Sequence, residues 1–469
     1  MSRPTRRQFL AQTAAAGVLG WRAVRAQAPQ PVSIPGLDVG EPTTSFALRN
    51  VTIIGATGKP AFPGMTVLLA GNRIQSLGPV AATPLVDGVQ VVDASGKFLL
   101  PGLWDMHSHL AILGVAAQVS PLFIPNSVTG TRTMGGSPRI VTTLLTRRAE
   151  IAEGKRLGPR LVVASPTLTG APVATVELAR ESVRSAVASG VDFIKVHNAV
   201  PRSSYFAVME EARSLKVPVV GHVPNQPPDP LTIAECANAG QRSFEHMASV
   251  FRYMFQLTGM DRGGRGMSIQ TLNAAQTTAL VDVFLKNHAW LCPTLTTIWG
   301  LRGEQSLAED PRLRYFDAPT KARWATVFKN TDLPDVRERY EHSLGIIGAM
   351  HKAGVGILAG TDTSLNTPEP YAMPGFGLHD ELARLVNAGL SPMDALRAAT
   401  YKPAEFLGLL DSLGTVEPGK LAELVLLDAN PLDDIANTTK INMVFTGGRV
   451  YRRPALDAML SAVEANARN

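Results

Sequence analysis

A chain of 469 residues with 45% hydrophobic and 18% charged side chains can bury a sizeable core, which excludes a disordered or fibrous protein. Its two cysteines, Cys236 and Cys292, are too few for a disulfide framework and read as buried thiols. Lys plus Arg is 45 against 39 for Asp plus Glu, a formal charge of +6, and five of the arginines sit in the first 28 residues.

Those five are Arg3, Arg6, Arg7, Arg22 and Arg25, and no acid accompanies them. A basic start, an apolar run to Leu19 and then Ala26-Gln27-Ala28 is the order of an export signal with a small-x-small cleavage site. Arg6-Arg7 followed by Phe9-Leu10 is the pattern read by the twin-arginine machinery. The apolar run falls short of the about 20 residues that cross a bilayer, so a stable membrane anchor is not expected. Residues 1–28 are therefore predicted to be a twin-arginine signal, and the mature protein to be periplasmic or secreted. Without the five arginines the charge is +1, and a nucleic-acid partner loses its support. Residues 29–44 read as a linker.

Next comes a β-rich stretch. Strand candidates are 46–54, the hairpin 64–69 and 73–77 around Gly71-Asn72, then 91–93 and 98–100. Between residues 100 and 365 the pattern changes. Continuous apolar runs at 160–164, 193–196, 217–220 and 355–359 alternate with amphipathic helical stretches at 203–215, 272–286, 335–352 and 380–388. Apolar strands separated by helices are parallel βαβ units buried on both faces. About eight such strands fit, as in an α/β (β/α)8 TIM-like barrel, whose chemistry gathers at the C-terminal strand ends. A doubly wound open sheet is the alternative. Short β runs return at 423–427, 441–445 and 448–451.

Candidate ligands fall at the ends of these apolar runs. His107 and His109 share one strand face at i and i+2. His222, His246 and Asp362 each close a later run. Lys195 lies inside the apolar run 192–196, where a lone ammonium is costly to bury.

The runs LPGLWDMHSHL (100–110), DFIKVH (192–197), GHVP (221–224), FEHM (244–247), AGTDTS (359–364) and LGTVEPGKLAELVLLD (413–428) resemble the metal-dependent amidohydrolase superfamily, in its imidazolonepropionase-like and Xaa-Pro-dipeptidase-like branch. The resemblance spans about residues 45–452. It implies a hydrolase barrel over 101–409, a small β-sandwich domain from 45–100 and 410–452, and a C-terminal tail at 453–469. It also implies two divalent metal ions. His107, His109 and Asp362 would hold one, and His222 and His246 the other. Lys195 would be carboxylated by CO2, its carbamate bridging the pair. Zn2+ suits such a His/carboxylate set, with Mn2+ or Co2+ as alternatives. A metal-bridging hydroxide would attack a scissile carbonyl, with Asp362 as the catalytic proton carrier.

The implied activity is hydrolysis of a C–N amide bond in a dipeptide, Xaa-Pro among them, or an N-acyl amino acid. Alternatives are a lactone, phosphotriester or ester substrate on the same centre, or a non-catalytic periplasmic binding or scaffold barrel. A deaminase of this type pairs the fifth-strand His with a Glu three residues on, where this chain has Asn225. Many relatives carry an Asp in the second-strand pattern, where this chain has Thr131-Arg132-Thr133-Met134. His197 and His379 are further candidates, for touching substrate or for orienting a ligand. Loops at 111–127, 250–268 and 297–333 are long enough to act as lids, and they bring Phe123, Trp299, Tyr315 and Arg314. Nothing in the sequence decides between a monomer and a homo-oligomer.

Overall fold

The structure, a computed structural model, describes residues 32–34, 37–85, 87–110, 120–250, 272–300, 309–328, 334–364 and 372–468. The predicted signal, part of the linker and much of the three predicted lids lie outside these residues.

Eight parallel strands carry the central α/β part. They are β1 (Leu103–Ser108), β2 (Val128–Thr133), β3 (Arg160–Val163), β4 (Ile194–Val196), β5 (Val219–Gly221), β6 (Ser243–Glu245), β7 (Trp290–Cys292) and β8 (Gly356–Ile357). β1 to β3 form one sheet and β4 to β8 another, each in chain order. Backbone bonds join the two sheets at both edges. Ser165 N–H donates to Phe193 O at 2.8 Å, and Met106 N–H donates to Ala359 O at 2.9 Å. Parallel bridges pair Ala164 with Phe193 and Ser108 with Thr363 at the same seams.

Helices fill the connections: α1 (Pro138–Ala152), α2 (Val176–Ala188), α3 (Arg202–Ser214), α4 (Ile233–Ala239), α5 (Ala274–Lys286), α6 (Pro334–Lys352) and α7 (Phe376–Asn387). Their starts are written in the sequence. Ser137, Thr175, Thr232 and Asn273 each accept a backbone N–H of the first turn, and Thr232/Glu235 and Asn273/Gln276 close full capping boxes. α7 begins at Phe376, earlier than the predicted 380, after Gly375 turns the chain at φ 76°. β8 is shorter than the predicted 355–359, because from Leu358 onward the chain bonds alternately to Leu291 and Ala398 rather than along one ladder.

The sequence predicts a small β-sandwich from the N- and C-terminal segments. Their hydrogen bonds run through one continuous sheet of nine strands. It interleaves Phe46–Ile53, Phe62–Ala70, Arg73–Pro79 and Phe98–Pro101 with Leu424–Leu427, Ile441–Thr446 and Arg449–Arg452. The sheet curls, so that Ala422 N–H reaches Asn72 O and Ile74 N–H reaches Lys420 O, both at 2.9 Å. Phe46, Leu48, Val67, Leu424 and Phe445 fill the curl. Phe98–Pro101 leads directly into β1, so this sheet anchors the strand that bears His107 and His109.

The segment that reads as a tail is a helix, α8 (Arg453–Arg468). Leu456, Met459 and Val463, spaced for one helical face, are its buried residues. Among the described residues no helix is long and apolar enough to cross a membrane.

Candidate metal centre

Strand alternation turns His107 and His109 to the same side of β1, as their spacing requires. Their partner is Asp362, just past β8. His107 Nε2 lies 3.2 Å and His109 Nε2 3.0 Å from Asp362 Oδ1. His246, just past β6, places Nδ1 3.9 Å from Asp362 Oδ2. His222, just past β5, stacks edge-on to His246 with ring centroids 4.8 Å apart. Four imidazoles and one carboxylate thus meet at the C-terminal ends of β1, β5, β6 and β8. Donor atoms of His107, His109 and Asp362 lie within 4.8 Å of one another, close enough to share an ion.

The backbone is bent to bring them there. His246 and Asp362 hold φ at 65° and 55°, a left-handed conformation that costs non-glycine residues of order 1–3 kcal/mol each. Glycine makes room beside them. A Cβ on Gly360 would sit 2.5 Å from Cys292 Sγ and 2.8 Å from His107 N. A Cβ on Gly221, immediately before His222, would sit 2.1 Å from Val196 O. Any side chain at either position would push a ligand-bearing strand away.

Lys195 points into the same space from β4. It is 1% exposed, and its Nζ has no hydrogen-bond partner among the described residues. Burial pushes its ammonium down to about 8. Burial also lowers His109, His222 (well below its usual value) and His246 (to about 3), and the nearby Lys195 charge adds to each effect. These rings are therefore neutral at neutral pH, the form in which imidazole ligates a metal. Burial opposes the charge of Asp362, yet among the surrounding histidines its carboxyl stays well below the usual range. Neutral imidazoles, an ionised carboxylate and an orphaned basic nitrogen are a donor set that suits divalent metal.

Several supporting residues escape a sequence reading. Glu245 Oε2 accepts from His107 Nδ1 at 2.8 Å, and Arg132 Nη2 donates to both Glu245 oxygens at 2.9 and 2.8 Å. Asp105 Oδ1 accepts the backbone N–H groups of His107 and Thr361 at 3.1 and 3.0 Å, tying β1 to the end of β8. Burial raises Asp105 to about 6 against these bonds. Asn198 Oδ1 lies 2.9 Å from His222 Nδ1, and Thr294 Oγ1 lies 2.7 Å from His246 Nδ1. Arg132 lies in the threonine-rich VTGTRT and Glu245 in SFE, so neither stands out in the sequence as a charge in an apolar run. Their pairing spans 113 residues of chain.

The two remaining histidines part company. His197 joins the cluster, its ring centroid 4.1 Å from that of His222. His379 does not. Its Nδ1 is hydrogen-bonded to Thr438 Oγ1 at 2.9 Å and its Nε2 to Asn126 O at 3.0 Å, so neither nitrogen is left for a substrate. Burial lowers it to about 4, and its neutral ring joins α7 to the turns at 124–126 and 435–439. Among the lid candidates, Phe123 is fully buried, Tyr315 stacks on Phe376, and the Arg384 guanidinium lies 4.4 Å over Trp299. Arg314 lies over Tyr315 and 3.8 Å from Glu464.

The family model described as the amidohydrolase family matches residues 98–451. A solved structure from Bifidobacterium longum, described as a prolidase, is 25% identical, with a TM-score of 0.65 over 90% of this chain and 100% of that one. Adenine deaminase 3 of Rhizobium meliloti (strain 1021) is 29% identical over 108 residues, 23% of this chain and 18% of its own. Imidazolonepropionase of Anaeromyxobacter dehalogenans (strain 2CP-1 / ATCC BAA-258) is 30% identical over 118 residues, 24% of this chain and 28% of its own. The alignments thus span less than a third of either curated relative.

Proposed function

The chain belongs to the amidohydrolase family, and on that premise we propose that it hydrolyses a C–N amide bond in a dipeptide, Xaa-Pro among them, or an N-acyl amino acid. The observation that carries this reading is the Asp362 carboxylate held against His107 and His109 at 3.2 and 3.0 Å, beside the buried, unpartnered Lys195. The likeness to a protein described as a prolidase, at 25% identity over its whole length, supports the choice of bond.

In this reading the eight strands close as a (β/α)8 barrel, with the nine-strand sheet beside it as a second domain. His107, His109 and Asp362 would hold one metal and His222 and His246 the other. Lys195, carboxylated by CO2, would offer an anionic carbamate to the ions in place of an ammonium that two cations would repel. Metals bound there lower the pKa of water from 15.7 towards about 7 and polarise a carbonyl.

The chain's own groups do the rest. Asp362 is ionised and takes the proton of the attacking water on its carboxylate oxygen. It then delivers that proton to the departing amine nitrogen, which leaves neutral. Its place just past β8, 3.2 Å from His107 and 3.0 Å from His109, keeps the carboxylate at the site for both transfers. Asn225, where a deaminase of this type carries a Glu, speaks against deamination despite the short adenine deaminase match. The residues 1–28 signal, export and a periplasmic or secreted location belong to the same reading.

The test is a screen of the metal-loaded mature protein against Xaa-Pro dipeptides, other dipeptides, N-acyl amino acids, lactones, phosphotriesters and adenine. Release of free amine from a dipeptide or N-acyl amino acid is expected. Turnover of a lactone, phosphotriester or adenine with no amide cleaved would overturn the reading.

A further inference from the structure

We propose that the buried Arg132–Glu245 pair is a positioning device that fixes His107 as an Nδ1–H donor and so makes the His107/His109/Asp362 position bind its metal before, and more tightly than, the His222/His246 position. The proposal rests on the ligand assignment above and adds an order to it.

Arg132 and Glu245 are both 0% exposed and lie beneath the site. Arg132 spends its donors on the surroundings of His107. Its Nε donates to Met106 O at 2.6 Å, the carbonyl joined to the nitrogen of His107. Its Nη1 donates to Ser243 Oγ at 3.0 Å, and Nη2 forks onto Glu245. Ser243 Oγ donates to Glu245 Oε1 at 2.5 Å. The guanidinium is capped by Phe406 at 5.2 Å and Phe193 at 6.0 Å. One cation therefore holds both the backbone and the ring partner of His107.

Paired with Arg132, Glu245 is an acceptor only. His107 Nδ1, 2.8 Å away, must therefore carry the proton, and Nε2 is left bare toward Asp362. The other rings are held differently. His222 Nδ1 meets the neutral amide of Asn198, and His246 Nδ1 meets the hydroxyl of Thr294. His109 Nδ1 is buried with no hydrogen-bond partner among the described residues. A carboxylate on the far nitrogen raises the basicity of a ligating imidazole, and losing such a partner typically costs 10–100-fold in metal affinity. A neutral amide or hydroxyl orients a ring but does less to its basicity. Among the described residues only the first position has the charged partner, so the two positions differ in affinity.

A merely structural ion pair would stabilise or destabilise the fold without changing metal order. Removing both charges together leaves no uncompensated ion, so the double variant Arg132→Met/Glu245→Gln is the one to use. Metal-free mature protein is titrated with Co2+, following the visible absorption of bound cobalt and the bound metal by mass spectrometry. In the unaltered protein two steps are expected. The double variant should lose about 10–100-fold on the first step and keep the second, so that the steps merge. Asn198→Ala should weaken only the second. If the unaltered protein binds no metal, the ligand assignment itself fails. If it binds two and the double variant keeps the first affinity, the ligands stand and this proposal is overturned. Nitrogen-15 NMR of histidine-labelled, metal-free protein needs no alteration of the pair. A His107 signal, identified by its loss in His107→Gln, is expected to show a protonated Nδ1, and a protonated Nε2 contradicts the proposal.

Discussion

The nine-strand sheet and the space between the eight parallel strands are both largely buried, yet they are filled in opposite ways. The sheet packs Phe46, Leu48, Leu69, Leu424 and Phe445 together and leaves ion pairs such as Lys97–Asp428 and Arg452–Glu41 at its surface. The parallel strands bury Arg132, Glu245, Lys195 and Asp105. Apolar burial contributes roughly 25 cal/mol per Å2, whereas a buried ion pair often contributes nothing net. The sheet is therefore built for stability. The charges between the strands hold the geometry of the histidine cluster, at a cost that packing elsewhere offsets.

Variants that separate stability from chemistry test this contrast. Asp362→Asn should give the largest effect, a fall of about 10^2–10^4 in kcat with the melting temperature nearly unchanged. A loss of activity that merely follows unfolding would erase the distinction. Arg132→Ala leaves Glu245 as an uncompensated buried charge and should cost about 3–5 kcal/mol in denaturant unfolding. Leu48→Ala in the sheet core should cost about 2–5 kcal/mol, yet the folded fraction should keep its metal content and kcat/KM.

The contrast also has a pH signature. Burial works against the charge of Glu245, but Arg132 and His107 hold its carboxyl well below its ordinary value of 4.5. Its contribution is thus fully present above about pH 4.5 and is lost as pH falls below that. The Arg132→Met/Glu245→Gln variant should show a shallower acid loss of stability below pH 4.5, and an unchanged slope would contradict the pairing. Smallest is His379→Asn, expected to cost about 1–3 kcal/mol through lost buried hydrogen bonds, with kcat/KM retained. A selective rise in KM would return His379 to the substrate.

Much of this was legible because it is local. The HxH pair follows from strand alternation. His222, His246 and Asp362 are picked out by their places after apolar runs. What was not legible depends on contacts across the fold. Arg132 and Glu245 sit in short, largely polar strand sequences, and only the third dimension makes them buried partners of each other and of His107. His379 sits near β8 in sequence, yet the turn at Gly375 sends its helix toward Thr438 and Asn126. How the terminal strands curl was not legible either, because alternation reports which side of a strand is buried, not how a sheet bends.

The central claim is that these residues hold two metal ions with a carboxylated Lys195 between them. Metal analysis of the mature protein, reconstituted with Zn2+ in the presence and absence of bicarbonate, tests it most directly. The account predicts two ions per chain with bicarbonate and fewer than two in Lys195→Ala. An unaltered protein that binds none, or a Lys195→Ala variant that still binds two, would contradict it.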